Sequence, residues 1–125
     1  MANGALVVPC WVPGRGSAML LALYRGPRDR LALGRSVGTP AGGHTAEVLV
    51  VNDFADLHAH AAQAKGKIVL FDHHFDPNKP QFNAYEEAVI YRYAGADPAE
   101  AYGGVAALLR SRTSHSLSPQ HPGRM

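Results

Sequence analysis

Apolar and polar positions alternate along the chain in short blocks, each closed by glycine, proline or a charged residue. Residues 1–16 are rich in glycine and proline, with Trp11 between Pro9 and Pro13. Ala18-Met19-Leu20-Leu21-Ala22-Leu23-Tyr24 is the first sustained apolar run and predicts a buried strand. The Arg25–Arg30 stretch around Pro27 and Asp29 predicts a solvated turn, and Leu31-Ala32-Leu33 is a second short apolar segment closed by Gly34. Gly38-Thr39-Pro40-Ala41-Gly42-Gly43 must be a loop, because no regular element tolerates that density of breakers. Thr45–Val51 is the clearest strand, β-branched and ending at Asn52-Asp53. Asp53 is placed to accept a backbone N–H bond at the start of a helix. Phe54, Leu57, Ala61 and Ala64 then recur on one helical stripe, with Asp56, His60 and Gln63 mostly off it. Gly66 supplies a left-handed stop, and Lys67–Phe71 follows as another buried strand. Strand, helix and strand within about 27 residues has the length of a βαβ crossover.

The second half repeats that logic. Asp72–Phe82, holding Pro77 and Pro80, predicts a loop. Ala84–Ala94 predicts a helix with Tyr85, Ala88, Val89 and Tyr93 on one face. Asp97-Pro98-Ala99-Glu100 predicts a restart, with Asp97 as N-cap and Pro98 in the first position. Gly103-Gly104 ends it, and Val105–Leu109 is a last apolar segment leading into Arg110-Ser111-Arg112. Beyond Thr113 the chain is polar and expected to fray. The fold class is α/β or α+β, with short strands and two or three helices.

Composition narrows the function classes. The chain has 125 residues, enough for one modest core. Its 13 Gly and 9 Pro favour short elements over a long-helix bundle. Net charge is only +2 and the arginines are scattered, so the basic face expected of a nucleic-acid binder is missing. Cys10 is the one cysteine, which excludes an internal disulfide framework and a thiolate zinc cluster. The Ala18–Tyr24 run is far too short to span a bilayer, and its flanks are wrong for a signal peptide. Neither nucleic acid nor membrane is an expected partner.

Candidate chemistry is sparse. Asp72, His73, His74 and Asp76 form the one cluster able to bind metal, two imidazoles and two carboxylates suiting zinc or manganese. Asp72-His73-His74 also resembles the Asp-His-His element of a phosphoesterase superfamily, which makes a small metal-dependent phosphoesterase one reading. Those enzymes need further aspartates, including an early Asp-x-Asp absent here, and adjacent histidines point apart in extended chain. A solvated loop is the favoured reading. Cys10 lacks an identifiable base and reads as a small apolar residue in a turn. Gly14-Arg15-Gly16 and Gly38–Gly43 lack the endings of phosphate loops. Tyr85, Tyr91, Tyr93 and Tyr102, at near-helical spacing, read as a packed face before a binding platform.

Taken in order, these segments resemble the protease-associated region of carboxypeptidase Q-like zinc metallopeptidases. Val8-Pro9-Cys10-Trp11-Val12-Pro13-Gly14 is similar to that family's Val-Pro-x-Trp-x-Arg-Gly, with Pro13 in place of the arginine. Gly38-Thr39-Pro40 and Thr45–Val51 match what precedes the family's Phe-x-x-Leu helix, where Phe54 and Leu57 stand here. Gly66-Lys67-Ile68-Val69 follows, then Tyr91-Arg92, Gly95-Ala96 and Ala107-Leu108-Leu109-Arg110-Ser111. Ser116-Leu117-Ser118-Pro119 resembles the start of a Ser-Pro-His-Thr-Gly turn, from which Gln120-His121-Pro122 departs.

The resemblance implies a partial protease-associated-like domain over residues 18–112, a short-stranded sheet or open barrel. Residues 1–17 would be a Gly/Pro-rich lead and residues 113–125 a polar tail. It also implies an intact parent that hydrolyses peptide bonds of short, unblocked peptides using two zinc ions, with homodimer contacts, in a secreted, periplasmic or lysosomal setting. The family's zinc ligands begin downstream with His-x-Asp. The only adjacent acidic pair, Glu86-Glu87, lies inside a predicted helix and cannot replace them. The resemblance therefore assigns no catalytic residue, cofactor site or metal ligand to this chain, and implies that it is inactive alone. A stand-alone protein-interaction module is the alternative.

Overall fold

A computed structural model describes residues 18–20, 26–28, 37–74, 76 and 78–110. The expectations for residues 1–17, including Cys10, Trp11 and the first glycine turn, lie outside the described residues. So do those for Leu31–Leu33 and the tail from Ser111 onward.

Two three-residue strands, β1 (Ala18–Leu20) and β2 (Gly26–Arg28), form an antiparallel pair. This corrects one local expectation: the arginine stretch expected as a turn contains a strand, whose Pro27 sits opposite Met19. Leu21–Tyr24 of the expected first strand lie outside the described residues. Proline has no N–H to donate, and an isolated two-stranded ribbon has free outer edges where that costs nothing. Met19, expected to be buried, is 64% exposed.

The remaining elements make one α/β unit. β3 (Val48–Val51), β4 (Ile68–Phe71) and β5 (Ala106–Leu109) lie in that order as an open parallel sheet, with Val51, Phe71 and Leu109 in one row. The first crossover carries α1 (Phe54–Ala59) and α2 (Ala61–Ala64); the second carries α3 (Gln81–Ala94) and α4 (Ala96–Ala101). Strands added in one direction through right-handed crossovers put their helices on one side of the sheet. Both crossovers accordingly feed a single core: Val51, Val69 and Phe71 from the strands, Leu57 and Ala64 from the first crossover, Tyr91 and Ala99 from the second.

The caps explain the boundaries. Asp53 accepts from the Asp56 backbone N–H at 2.8 Å, the N-cap expected of it. Gly66 and Gly103 take φ of +73° and +80°, left-handed stops where a Cβ would be strained.

Three helical expectations change. The stripe over 54–64 forms two helices, because the chain turns at His60, whose ring Nδ1 bonds the Asp56 carbonyl at 2.9 Å. Asp97 is not a cap: α4 begins at Ala96, directly after Gly95, and Asp97 lies in its first turn. Gly95 keeps right-handed dihedrals and donates to the Tyr91 carbonyl, so the backbone barely leaves the helical path between α3 and α4. The buried residues of α3 are Ala84, Ala88, Tyr91 and the charged Arg92, while Tyr93 is 51% exposed. Among the described residues there are four helices where two or three were expected.

At the entry side of the sheet, the Lys67 ammonium lies 2.9 Å from the Glu47 carboxylate. The hydrogen bond from Lys67, reinforced by its charge, holds the Glu47 carboxyl below the ordinary glutamate range. A lowered carboxyl stabilises the fold above its unfolded pKa, and that contribution is lost as pH falls through the lower folded value. The pair is exposed, so its contribution is small. Followed by NMR, Glu47 should titrate below an ordinary glutamate, and Lys67→Met should return it to the usual range. An unchanged midpoint in that variant would exclude the pairing.

Candidate functional site

In open parallel sheets, sites collect outside the carboxyl ends of the strands. Here that edge carries Asn52 and Asp53 after β3, Asp72 and His73 after β4, and Arg110 after β5. The ladder runs one step past the strands: the Asp72 N–H donates to the Val51 carbonyl at 2.8 Å, and the Arg110 N–H to the Phe71 carbonyl at 3.0 Å. This continuation places Asp72 and Arg110 side by side, their side chains 3.2 Å apart.

The acidic groups at this edge are already engaged. Asp53 caps α1, and one Asp56 oxygen accepts from the Asn52 N–H at 2.8 Å. The other Asp56 oxygen faces His60 Nδ1 at 2.9 Å. Asp72 is held by Arg110. Asp76 accepts from the Asn78 N–H at 2.9 Å, a local turn that opens the run into α3.

Lys79 then reaches forward to Glu87 of α3, 2.6 and 2.8 Å from its two oxygens. That hydrogen bond raises the Lys79 ammonium above the ordinary lysine range. Attraction to Glu87 and Asp76 adds to the rise, and desolvation opposes it.

The four residues of the predicted metal cluster therefore diverge. His73 turns inward onto Tyr91, ring centroids 5.3 Å apart, with its Nδ1 buried and without a hydrogen-bond partner. His74 is exposed. Among the described residues no three His, Cys, Asp or Glu side chains are gathered as a metal site. Zinc should leave the melting temperature of the purified chain unchanged, since only binding to the folded state raises it. A saturable rise, lost in His74→Ala, would restore the metal reading.

The tyrosines are dispersed rather than forming a platform. Tyr91 joins Phe54 and Phe71 in the core, with ring centroids 4.7 and 5.4 Å away. Tyr102 bonds His58 Nδ1 at 2.7 Å, and Tyr85 lies 3.5 Å from the Arg92 guanidinium. Sequence reading missed both the Asp72–Arg110 and His58–Tyr102 pairs. Their partners are 38 and 44 residues apart, and no local pattern links them. None of these pairs is a nucleophile with its base.

No family model matches the chain. Carboxypeptidase Q of Xenopus laevis is 46% identical over 116 residues, which is 93% of this chain and 23% of that protein. The carboxypeptidase Q proteins of Mus musculus and Homo sapiens are each 41% identical over 116 residues, with the same coverage. Among solved structures, a peptidase M28 precursor from Shewanella amazonensis is similar with a TM-score of 0.75 and 30% identity. That match covers 84% of this chain and 24% of the other. The chain thus spans less than a quarter of the length of the relatives it matches. Among the described residues, no helix is long and apolar enough to cross a membrane.

Proposed function

We propose, on the premise that this chain is homologous to a carboxypeptidase Q segment, that it is the non-catalytic protease-associated part of a metallopeptidase. The observation that carries the reading is identity of 41–46% sustained over 93% of the chain. The geometry of the sheet edge supports it, because the carboxylates there serve as caps, turns and ion pairs. In the intact enzyme the segment would cover the active-site cleft and restrict the size of peptides that enter, a role of exclusion and positioning.

Two zinc ions would polarise the scissile carbonyl and acidify water in such an enzyme. The described residues gather no donor set that fits them, so no step of that chemistry is assigned to this segment. Short, unblocked peptides as substrates, homodimer contacts and a secreted, periplasmic or lysosomal location belong to the same proposal.

The purified chain, supplied with zinc and unblocked dipeptides, should show no hydrolysis above the uncatalysed rate. The coding sequence past Met125 should contain the His-x-Asp step that opens the ligand set. Metal-dependent turnover by the chain alone would overturn the reading.

A further inference from the structure

The run from Val37 to Thr45 stands clear of the rest of the fold. All of its residues are exposed, Val37 at 92%. A Cβ built at Gly38, Gly42 or Gly43 would meet nothing within 4 Å, so nothing packs against those three positions. Among the described residues, the backbone of this run makes one hydrogen bond. It goes from the Gly43 N–H to the Pro40 carbonyl at 2.8 Å and closes a turn around Ala41 and Gly42. The sheet ladder begins later, where the Glu47 carbonyl accepts from the Ile68 N–H at 2.9 Å. The buried core is drawn from Val51 to Ala99 and takes nothing from this run.

Exposed, unpacked backbone is what an endopeptidase needs, because its cleft takes the substrate as an added extended strand. Gly38-Thr39-Pro40-Ala41 lie before the Ala41–Gly42 bond and Gly42-Gly43-His44-Thr45 after it, all of them exposed. To straighten, the run has to open only the turn bond, a small cost for a solvated hydrogen bond. The side chains select the class of enzyme. No Lys, Arg, Leu, Phe, Tyr or Trp stands between Val37 and Thr45, which excludes endopeptidases whose primary pocket takes a cation or a large apolar group. Ala41 offers one methyl, suited to a shallow apolar pocket, and the glycine after it leaves the scissile carbonyl uncrowded. The Thr39–Pro40 bond is a poor alternative, because proline has no N–H to offer the cleft.

We infer that Ala41–Gly42 is a processing bond, cut by an endopeptidase with a shallow pocket for small aliphatic side chains. One water is consumed: its oxygen joins the Ala41 carbonyl carbon as a new carboxylate, the C–N bond breaks, and Gly42 leaves as a free amine. The cut separates residues 1–41 from a piece that starts just ahead of β3. The buried core, the parallel sheet and all four described helices stay on that piece. The α/β unit therefore remains folded after the cut.

The test treats the full chain with a pancreatic-type elastase at a low enzyme ratio and follows new N-termini by mass spectrometry. A terminus at Gly42 should appear before any within residues 46–110, although alanines and valines occur throughout that stretch. The piece that begins at Gly42 should keep a cooperative thermal transition by circular dichroism. Ala41→Asp should slow the appearance of that terminus at least about tenfold, because an apolar pocket rejects a charge. Cuts within 46–110 that are as fast would overturn the inference, since they would show that cleavage waits for the chain to unfold. A terminus at Gly38 in place of Gly42, or one at Gly42 that Ala41→Asp leaves at full rate, would also overturn it. So would a bond that stays uncut, or a Gly42 piece that no longer melts cooperatively.

Discussion

Phe71→Ala leaves little folded chain at ambient temperature. Phe71 is 1% exposed on the central strand, edge-on to Phe54 at 5.5 Å and stacked on Tyr91 at 5.4 Å. Both crossovers therefore meet on this one ring. Removing a buried phenylalanine costs about 3–5 kcal/mol, through lost transfer energy and the cavity left behind. Whole domains have about 5–15 kcal/mol to lose, and small ones lie at the low end. Denaturant unfolding should show the midpoint collapse, while Phe82→Ala, at a 70% exposed position, should barely move it. Equal midpoints for Phe71→Ala and wild type would refute this account of the core.

Gly95→Ala is the second large effect, and its sign separates two causes. Gly95 has φ of −71°, so it is not needed for a left-handed turn. Alanine is the better helix former by about 1 kcal/mol, and propensity alone predicts a gain. Space predicts the opposite. A Cβ at this position would run into the Tyr91 carbonyl oxygen and lie 3.1 Å from the Phe71 ring. The carbonyl belongs to the backbone and cannot swing away, so α4 must shift off α3. Overpacking of this kind costs about 1–3 kcal/mol. A lowered melting temperature is expected, and a raised one would show that the α3–α4 junction is looser than the structure has it.

Much of the fold was legible because it rests on interactions within a few residues. The Asp53 cap and the Gly66 stop each depend on neighbours three to four positions away at most, and each appears where the pattern put it. The ordered pieces from Val8 to Pro119 pointed to the family, and the chain is homologous to carboxypeptidase Q. Misreadings occurred where a distant partner decides. Tyr91 rather than Tyr93 faces inward because Phe54 and Phe71 form its pocket, and their positions are set by another crossover. Asp97 is a local case: α3 runs almost into α4, so Asp97 lies in the first turn of α4 rather than at its cap.

The candidate site follows the same division. Asp72, His73, His74 and Asp76 are adjacent in sequence, and adjacency suggested a common ligand. Backbone direction separated them. Parallel pairing past β4 gives Asp72 to Arg110, packing against α3 turns His73 onto Tyr91, and a local turn takes Asp76. Sequence by itself determined the order of elements, their caps and the family resemblance, because periodicity and capping are properties of short stretches of chain. Only the tertiary structure decided which aromatic ring fills the core and which carboxylates are engaged. Those outcomes depend on distant segments being brought together, as Asp72 and Arg110 are across 38 residues, and no local pattern records that.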